Sequence, residues 1–398
     1  MAVVALGVTG GIAAYKSCEL VRRLGDAGHE VHVVMTREAM KFVRPLTFEA
    51  LSGHPVQTSR WTSLGGDIAH IAARRVDAFV IAPCTVNTLA KLSLGLADDV
   101  LTNALLAYDG PIIIAPAANP TMMLQRSTVA HLSALRERGA TIVGPETGYV
   151  ACREMGPGRM SEPADIALAV ERALFAGPRW TGVRVLVSAG RTEEPIDAVR
   201  LIANRSSGRM GLEVALEAHR RGATVTLVMG PSDLTIPAHL DGLHVSRVAT
   251  AAQMAESVLA LADTSDVYIG AAAIADYTLE KPLPFKRKKS QDAWTLTLAP
   301  TVDVLAAIGA RRRDSQTIVG FALETADGIA HAVEKAQRKR CDLMVLNNPL
   351  EEGAGPVTPT NRVDLISPDG RVDAWPMLTK REVAARLCDA IAKLRGIA

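Results

Sequence analysis

At 398 residues the chain is too long for one typical domain, and a hydrophobic fraction of 48% with only 4% aromatics suits two cores of Ala, Val, Leu and Ile, as buried parallel sheets require. A formal charge of +2 gathers neither nucleic acid nor an anionic membrane, and no apolar stretch approaches spanning length. The cysteines Cys18, Cys84, Cys152, Cys341 and Cys388 never form a C-x-x-C pair, and Met1 runs into the first apolar run without a basic leader; this argues against disulfides and structural zinc and predicts a cytoplasmic protein.

An apolar run at Val3–Val8 breaks into Thr9-Gly10-Gly11, and a helix is expected over Ala13–Ala27. Strands follow at Val31–Met35, Asp77–Ala82, Pro111–Ala115 and Thr141–Val143, with a helix at Thr128–Arg138. This alternation predicts a parallel, doubly wound sheet. A helix over Pro163–Phe175 stops at Ala176-Gly177-Pro178, which marks a boundary between domains at 1–178 and 179–398. The plan then restarts, with strands at Val183–Val187, Val225–Met229, Val267–Ala271, Ile318–Phe321 and Leu343–Leu346. Helices fit Met210–Arg221, Ala251–Ala262, Val302–Arg312, Ala326–Arg340 and Lys380–Leu394, and a proline-broken basic loop spans Lys281–Lys289. The fold class is therefore α/β, with two Rossmann-like domains.

Each strand-to-glycine turn aims backbone N–H groups and a helix N-terminus at a ligand above the sheet edge, usually a phosphate. A dinucleotide site wants an acidic residue after the second strand, but Thr36-Arg37 and Gly230-Pro231 stand there. A hydroxyl and a cation suit a phosphate monoester better than a ribose diol. Gly10, Gly11, Ile12 and Ala13 keep the first turn small for a ligand, or for tight packing. Thr85, Asn87 and Thr88 add donors beyond the third strand, where Thr85 can equally cap a helix. Tyr277 and Lys281 share a face only in a helix, which Pro282 and Pro284 disfavour, and His29 with His32 makes no metal motif.

Gly-Val-Thr-Gly-Gly-Ile-Ala-Ala-Tyr-Lys at 7–16, Pro-Ala-Ala-Asn at 116–119 and Ala-Cys-Arg-Glu-Met-Gly-Pro-Gly-Arg-Met at 151–160 resemble the flavin-dependent phosphopantothenoylcysteine decarboxylases. Asn-Arg-Ser-Ser-Gly-Arg-Met-Gly at 204–211 and Ala-Ala-Ala-Ile-Ala-Asp-Tyr at 271–277 resemble the phosphopantothenate–cysteine ligases. The ordered set is similar to the bacterial bifunctional proteins of coenzyme A synthesis over essentially the whole chain. The resemblance implies a flavodoxin-like FMN domain followed by a CTP- and Mg²⁺-dependent ligase domain. It implies a base or electrostatic partner at His70, a carboxylate-holding Asn119 and a proton donor at Cys152. FMN would be bound by Gly10, Gly11, Ile12, Ala13, Thr36, Thr85, Asn87 and Thr88. In the ligase it implies Asn204 on phosphopantothenate, Lys286 assisting acyl-cytidylate formation, and CTP on Gly270, Ala271, Ala272, Asp276, Phe321, Lys335 and Lys339. Trimeric flavin domains and dimeric ligase domains would give a dodecamer. Two departures stand out: Ala118 replaces the usual Met, and Arg153-Glu154 replaces the usual Gly-Asp. Pro300–Asp303 also departs from the usual Asn-Pro-Asp, so no role is assigned there.

Overall fold

The computed structural model describes residues 1–59, 76–151, 153–177, 179–237, 240–289, 293–325 and 327–397. Two compact units divide the chain, Met1–Phe175 with Pro237–Asp241, and Ala176–Ile236 with Gly242–Ala398.

In the first unit, strands β1 (Val3–Val8), β2 (Glu30–Met35), β3 (Ala78–Cys84), β4 (Ile112–Pro116) and β5 (Thr141–Ile142) form a parallel sheet in the order β2-β1-β3-β4-β5. Helices α1 (Lys16–Asp26), α2 (Pro45–Ser52), α3 (Val86–Leu94), α4 (Val100–Leu106), α5 (Pro120–Leu124), α6 (Arg126–Glu137) and α7 (Pro163–Leu174) connect and cover it. On one face Leu6 and Val80 pack with Leu20 and Leu24 of α1 and with Ile166 and Val170 of α7. On the other, Phe79 and Ile81 pack with Leu89, Leu101 and Leu135. Burial from both sides explains why β3 reads as an unbroken apolar run, with about 1.5–3 kcal/mol gained per large aliphatic side chain. A hairpin of β6 (Glu146–Tyr149) and β7 (Met155–Arg159) follows the sheet.

The second unit contains β8 (Arg184–Ala189), β9 (Glu193–Pro195), β10 (Leu201–Ala203), α8 (Arg209–Arg220), β11 (Thr224–Met229), β12 (Leu243–Arg247), α9 (Ala251–Ala262) and β13 (Val267–Gly270). It continues through β14 (Tyr277–Leu279), β15 (Leu298–Pro300), α10 (Val304–Ala310), β16 (Thr317–Leu323), α11 (Gly328–Arg338) and β17 (Leu343–Asn347). It ends with β18 (Thr360–Asn361), β19 (Asp364–Ile366), β20 (Val372–Ala374), β21 (Leu378–Thr379) and α12 (Lys380–Arg395). The main sheet runs β12-β11-β8-β13-β16-β17-β19-β20, parallel as far as β17 and antiparallel beyond it. Helix α12 begins with a capping box between Thr379 and Glu382 and packs on α8. There the buried Arg221 pairs with Glu217 at 2.7 Å and Asp389 at 2.7 Å.

All ten expected strands end within two residues of observed strands, because a fully buried strand carries its own apolar signature. The helix expected from Ala13 opens instead as a 3-10 turn, Ile12–Tyr15, before α1. The one expected from Val302 is cut to α10, because the Asp303 side chain accepts from the Ala306 N–H at 3.0 Å and starts the helix there. Tyr277 lies in β14 and not in a helix, so the Tyr277–Lys281 spacing has no catalytic geometry.

Candidate active sites

In an open parallel sheet, ligands collect at the carboxyl ends of the strands where the order reverses. In the first unit that point lies between β1 and β3. A cavity of about 640 Å³ opens there, walled by Gly10, Gly11, Ile12 and Ala13 after β1, Thr85 and Val86 after β3, Ala117–Asn119 after β4, and the β6–β7 hairpin. Thr9 ties the first two walls together: its hydroxyl donates to the Pro83 carbonyl at 2.7 Å and accepts from the Thr85 N–H at 3.1 Å. Thr85 caps α3, its hydroxyl accepting from the Thr88 N–H at 3.4 Å, and Thr85 and Val86 put the start of α3 in the cavity wall. Gly10 has to be glycine because a Cβ would sit 2.4 Å from Glu38 Cβ.

Asn119 is held twice. Its Oδ1 accepts from the Met122 N–H at 2.8 Å, capping α5, and its Nδ2 donates to Glu154 at 3.3 Å. The hairpin closes over this point through Gly158, whose carbonyl accepts from the Ala118 N–H at 3.0 Å. With φ at 145° and Ala118 O only 2.2 Å from an added Cβ, Gly158 admits no other residue without displacement. At the mouth, Lys16 donates to Glu162 at 2.9 Å and Arg159 also pairs with Glu162. Those hydrogen bonds hold the Glu162 carboxyl below its ordinary range although burial opposes them.

Arg153 sits at φ 63°, in the left-handed region that a glycine would occupy freely. That conformation costs about 1–2 kcal/mol in a residue with a Cβ, against about 0.5–1 kcal/mol of chain entropy that glycine would lose on folding. Arg153→Gly is therefore expected to stabilise the first unit by up to about 1 kcal/mol. An unchanged or lower denaturant midpoint would contradict this.

In the second unit the order reverses between β8 and β13. The loops after these strands are laced together: the Ala271 N–H donates to Ser188 O at 3.0 Å, and the Ala273 N–H donates to Gly190 O at 2.8 Å. Asn204, just after β10, donates from Nδ2 to Ile274 O at 2.9 Å. It is not a helix cap, since α8 starts at Arg209 with Gly208 as its N-cap. Alongside, Lys335 on α11 donates to Phe321 O at 3.3 Å, while Lys339 pairs with Asp303 at 2.8 Å. Burial, and then the charge of Lys339, push the Lys335 ammonium below its ordinary pKa. Two half-buried cations one helical turn apart, beside Phe321 of β16, suit a polyphosphate.

Several expected residues meet and others do not. Gly10, Gly11, Ile12, Ala13, Thr85 and Asn119 share one cavity wall, whereas Thr36, Asn87 and Thr88 do not line it. Thr36 is buried and its hydroxyl accepts from the Ala39 N–H at 3.3 Å. Asn87 is exposed and Thr88 is buried against Thr85. Gly270, Ala271, Ala272 and Asp276 form the loop that receives Asn204, and Phe321, Lys335 and Lys339 cluster by Asp303. Lys286 is exposed in a loop anchored by the neighbouring Arg287, whose N–H donates to Asp197 at 3.2 Å. His70 and Cys152 lie outside the described residues. Lys16, Tyr149 and Arg159 in the cavity wall, and Asp303 beside Lys339, went unassigned in the sequence; Lys16 and Arg159 were signalled by their places inside the quoted motifs.

Residues 2–174 match the family model described as Flavoprotein, and residues 180–394 match that described as DNA/pantothenate metabolism flavoprotein C-terminal domain. A coenzyme A biosynthesis bifunctional protein, CoaBC, of Bacillus subtilis (strain 168) is 40% identical over 395 residues, covering 98% of this chain and 97% of its own. The CoaBC of Mycolicibacterium smegmatis is 40% identical over 405 residues, with 98% and 97% covered. Among solved structures, the FMN-dependent cysteine decarboxylase SpaF is 34% identical over 44% of this chain and 98% of its own, with a TM-score of 0.40.

Proposed function

The chain belongs to the coenzyme A biosynthesis bifunctional proteins, combining a flavoprotein decarboxylase with a ligase, and from that footing we propose an assignment of each step to its residues. Residues 1–178 would decarboxylate 4′-phosphopantothenoylcysteine with FMN, and residues 179–398 would make it from 4′-phosphopantothenate, cysteine and CTP with Mg²⁺. The cavity at the β1–β3 crevice carries the first half of the reading. It lies in the volume range of small-molecule sites, Gly10, Gly11 and Ala13 keep one wall small, and a helix N-terminus stands where an FMN phosphate would need donors.

A bound flavin supplies reversible two-electron chemistry, which lets a cysteinyl carbon become an electron sink for departing CO₂. Asn119, already oriented by its cap on α5, would present its amide to the substrate carboxylate. His70 would act as base or electrostatic partner, and Cys152 Sγ would return a proton to the decarboxylated product. Thr36, Asn87 and Thr88 would serve FMN only through neighbouring backbone, since they are outside the cavity wall.

In the ligase the pantothenate carboxylate oxygen attacks the α-phosphorus of CTP and pyrophosphate leaves. Cysteine's amine then attacks the acyl carbon and CMP leaves. Negative charge develops on phosphate oxygens in the first step, where Lys286, Lys335 and Lys339 would stabilise it and Mg²⁺ would ride largely on the CTP phosphates. Asn204 would hold phosphopantothenate and its acyl-cytidylate. The proposed assembly is a dodecamer, and the proposed compartment is the cytoplasm; no helix among the described residues is long and apolar enough to cross a membrane.

Purified protein given phosphopantothenate, cysteine, CTP, Mg²⁺ and FMN should form 4′-phosphopantetheine, CO₂ and pyrophosphate. Failure to retain a chromophore at about 450 nm in excess FMN would overturn the flavin assignment. Gly158→Ala forces Ala118 and β7 apart and should weaken FMN retention at least about tenfold. Wild-type flavin content after gel filtration would count against that wall.

A further inference from the structure

We propose that Glu30, His32 and His54, at the amino-terminal end of β2 and away from the flavin cavity, form a site for one divalent transition-metal ion of the zinc class. Glu30 and His32 are two apart on a strand, so the pleat turns both to one face. His54 reaches them by a different route. Gly53, at φ 74°, ends α2, and the chain then runs beside the edge of β2. The Gln57 N–H donates to Val33 O at 2.9 Å and the Met35 N–H donates to Gln57 O at 2.9 Å. The strap is braced from within, as the Val56 N–H donates to Glu49 at 3.2 Å and the His54 N–H to the Ser52 hydroxyl at 3.2 Å.

This framework places the His32 and His54 rings with centroids 4.4 Å apart. Glu30 Oε1 lies 2.8 Å from His32 Nε2 and 3.4 Å from His54 Nε2, and one ligand atom from each of the three residues lies within 4.8 Å of the others. A tetrahedral zinc with bonds of about 2.0–2.2 Å spaces its ligand atoms about 3.3 Å apart, so side-chain shifts of about 1–2 Å at most bring the three to it. Two imidazoles and a carboxylate match zinc and leave a fourth position for water, whereas Mg²⁺ wants oxygen throughout. The side chains are 34%, 31% and 34% exposed for Glu30, His32 and His54, so an ion can enter without unfolding the unit. Neighbouring His29 is turned to Glu171, 2.9 Å away, and takes no part. A bound ion would clasp the strap onto the edge strand β2 and stabilise the folded unit by mass action.

The test uses the full-length, flavin-loaded chain, stripped of metal by a chelator and titrated with Zn²⁺ against a chromophoric competitor. One equivalent per chain is expected. A His32→Gln/His54→Gln variant should bind it more than about 100-fold more weakly with flavin absorbance intact. Glu30→Gln, which leaves both imidazoles in place, should weaken it at least about tenfold, and Cys18→Ser should leave it unchanged. Zinc should raise the thermal midpoint of the wild type and not that of the double variant. No zinc equivalent in the wild type, or undiminished binding in the double variant, overturns the site.

Discussion

Asn204→Ala is expected to lower CTP-dependent pyrophosphate release by roughly 100- to 1,000-fold while the flavin stays bound, the loss typical of removing one preorganised donor from developing charge. Asn204 is exposed and its side chain donates to Ile274 O at 2.9 Å outside the main sheet, so truncation leaves the sheet intact. That bond fixes the side chain over the loop from Gly270 to Asp276, where the nucleotide is proposed to lie. Lys286→Ala should give a comparable loss if its ammonium, rather than the neighbouring Arg287, Lys288 or Lys289, stabilises the charge developing at the α-phosphate. Pyrophosphate release with saturating CTP and phosphopantothenate, measured without cysteine, separates activation from amide formation. Wild-type rates in both variants would remove the two residues from the activation step.

Cys152→Ser should still consume phosphopantothenoylcysteine and release CO₂, but accumulate the unsaturated enethiol instead of phosphopantetheine. A serine hydroxyl is a far weaker acid than a thiol, so loss of proton donation should slow the last step by roughly 100- to 10,000-fold. In the proposed sequence, oxidation and CO₂ loss would precede that step and would need no proton from residue 152. The adjoining Tyr149, Val150 and Ala151 line the cavity, which keeps the reading consistent with a donor at the substrate. Mass analysis of the product decides it: saturated phosphopantetheine formed at the normal rate would exclude the role.

Local sequence was most informative where burial is complete. Strands such as β3 and β16 are covered on both faces, so their apolar runs announce them without any knowledge of neighbours. Strands β12 and β20 were missed because they stand at the edges of the second sheet, with mostly exposed side chains that carry no apolar signature. The glycine turns were legible for a similar reason: at Gly10 the close approach of Glu38 restricts the residue type itself. Arg153 shows the limit of that rule: the family's usual glycine hints at a permissive backbone there, but an arginine by itself gives no sign of the φ of 63° it adopts.

The amino-acid sequence alone determined two α/β units, their glycine-rich turns and the motifs that mark a decarboxylase and a ligase, because these depend on burial and backbone freedom within a few residues. Only the tertiary structure decided that Thr36 stays out of the cavity at the β1–β3 crevice, that Asp303 meets Lys339, that Asn204 binds Ile274 rather than capping a helix, and that His54 reaches His32. Each of those pairings joins segments distant in the chain, and strand order, which no local pattern encodes, brings them together.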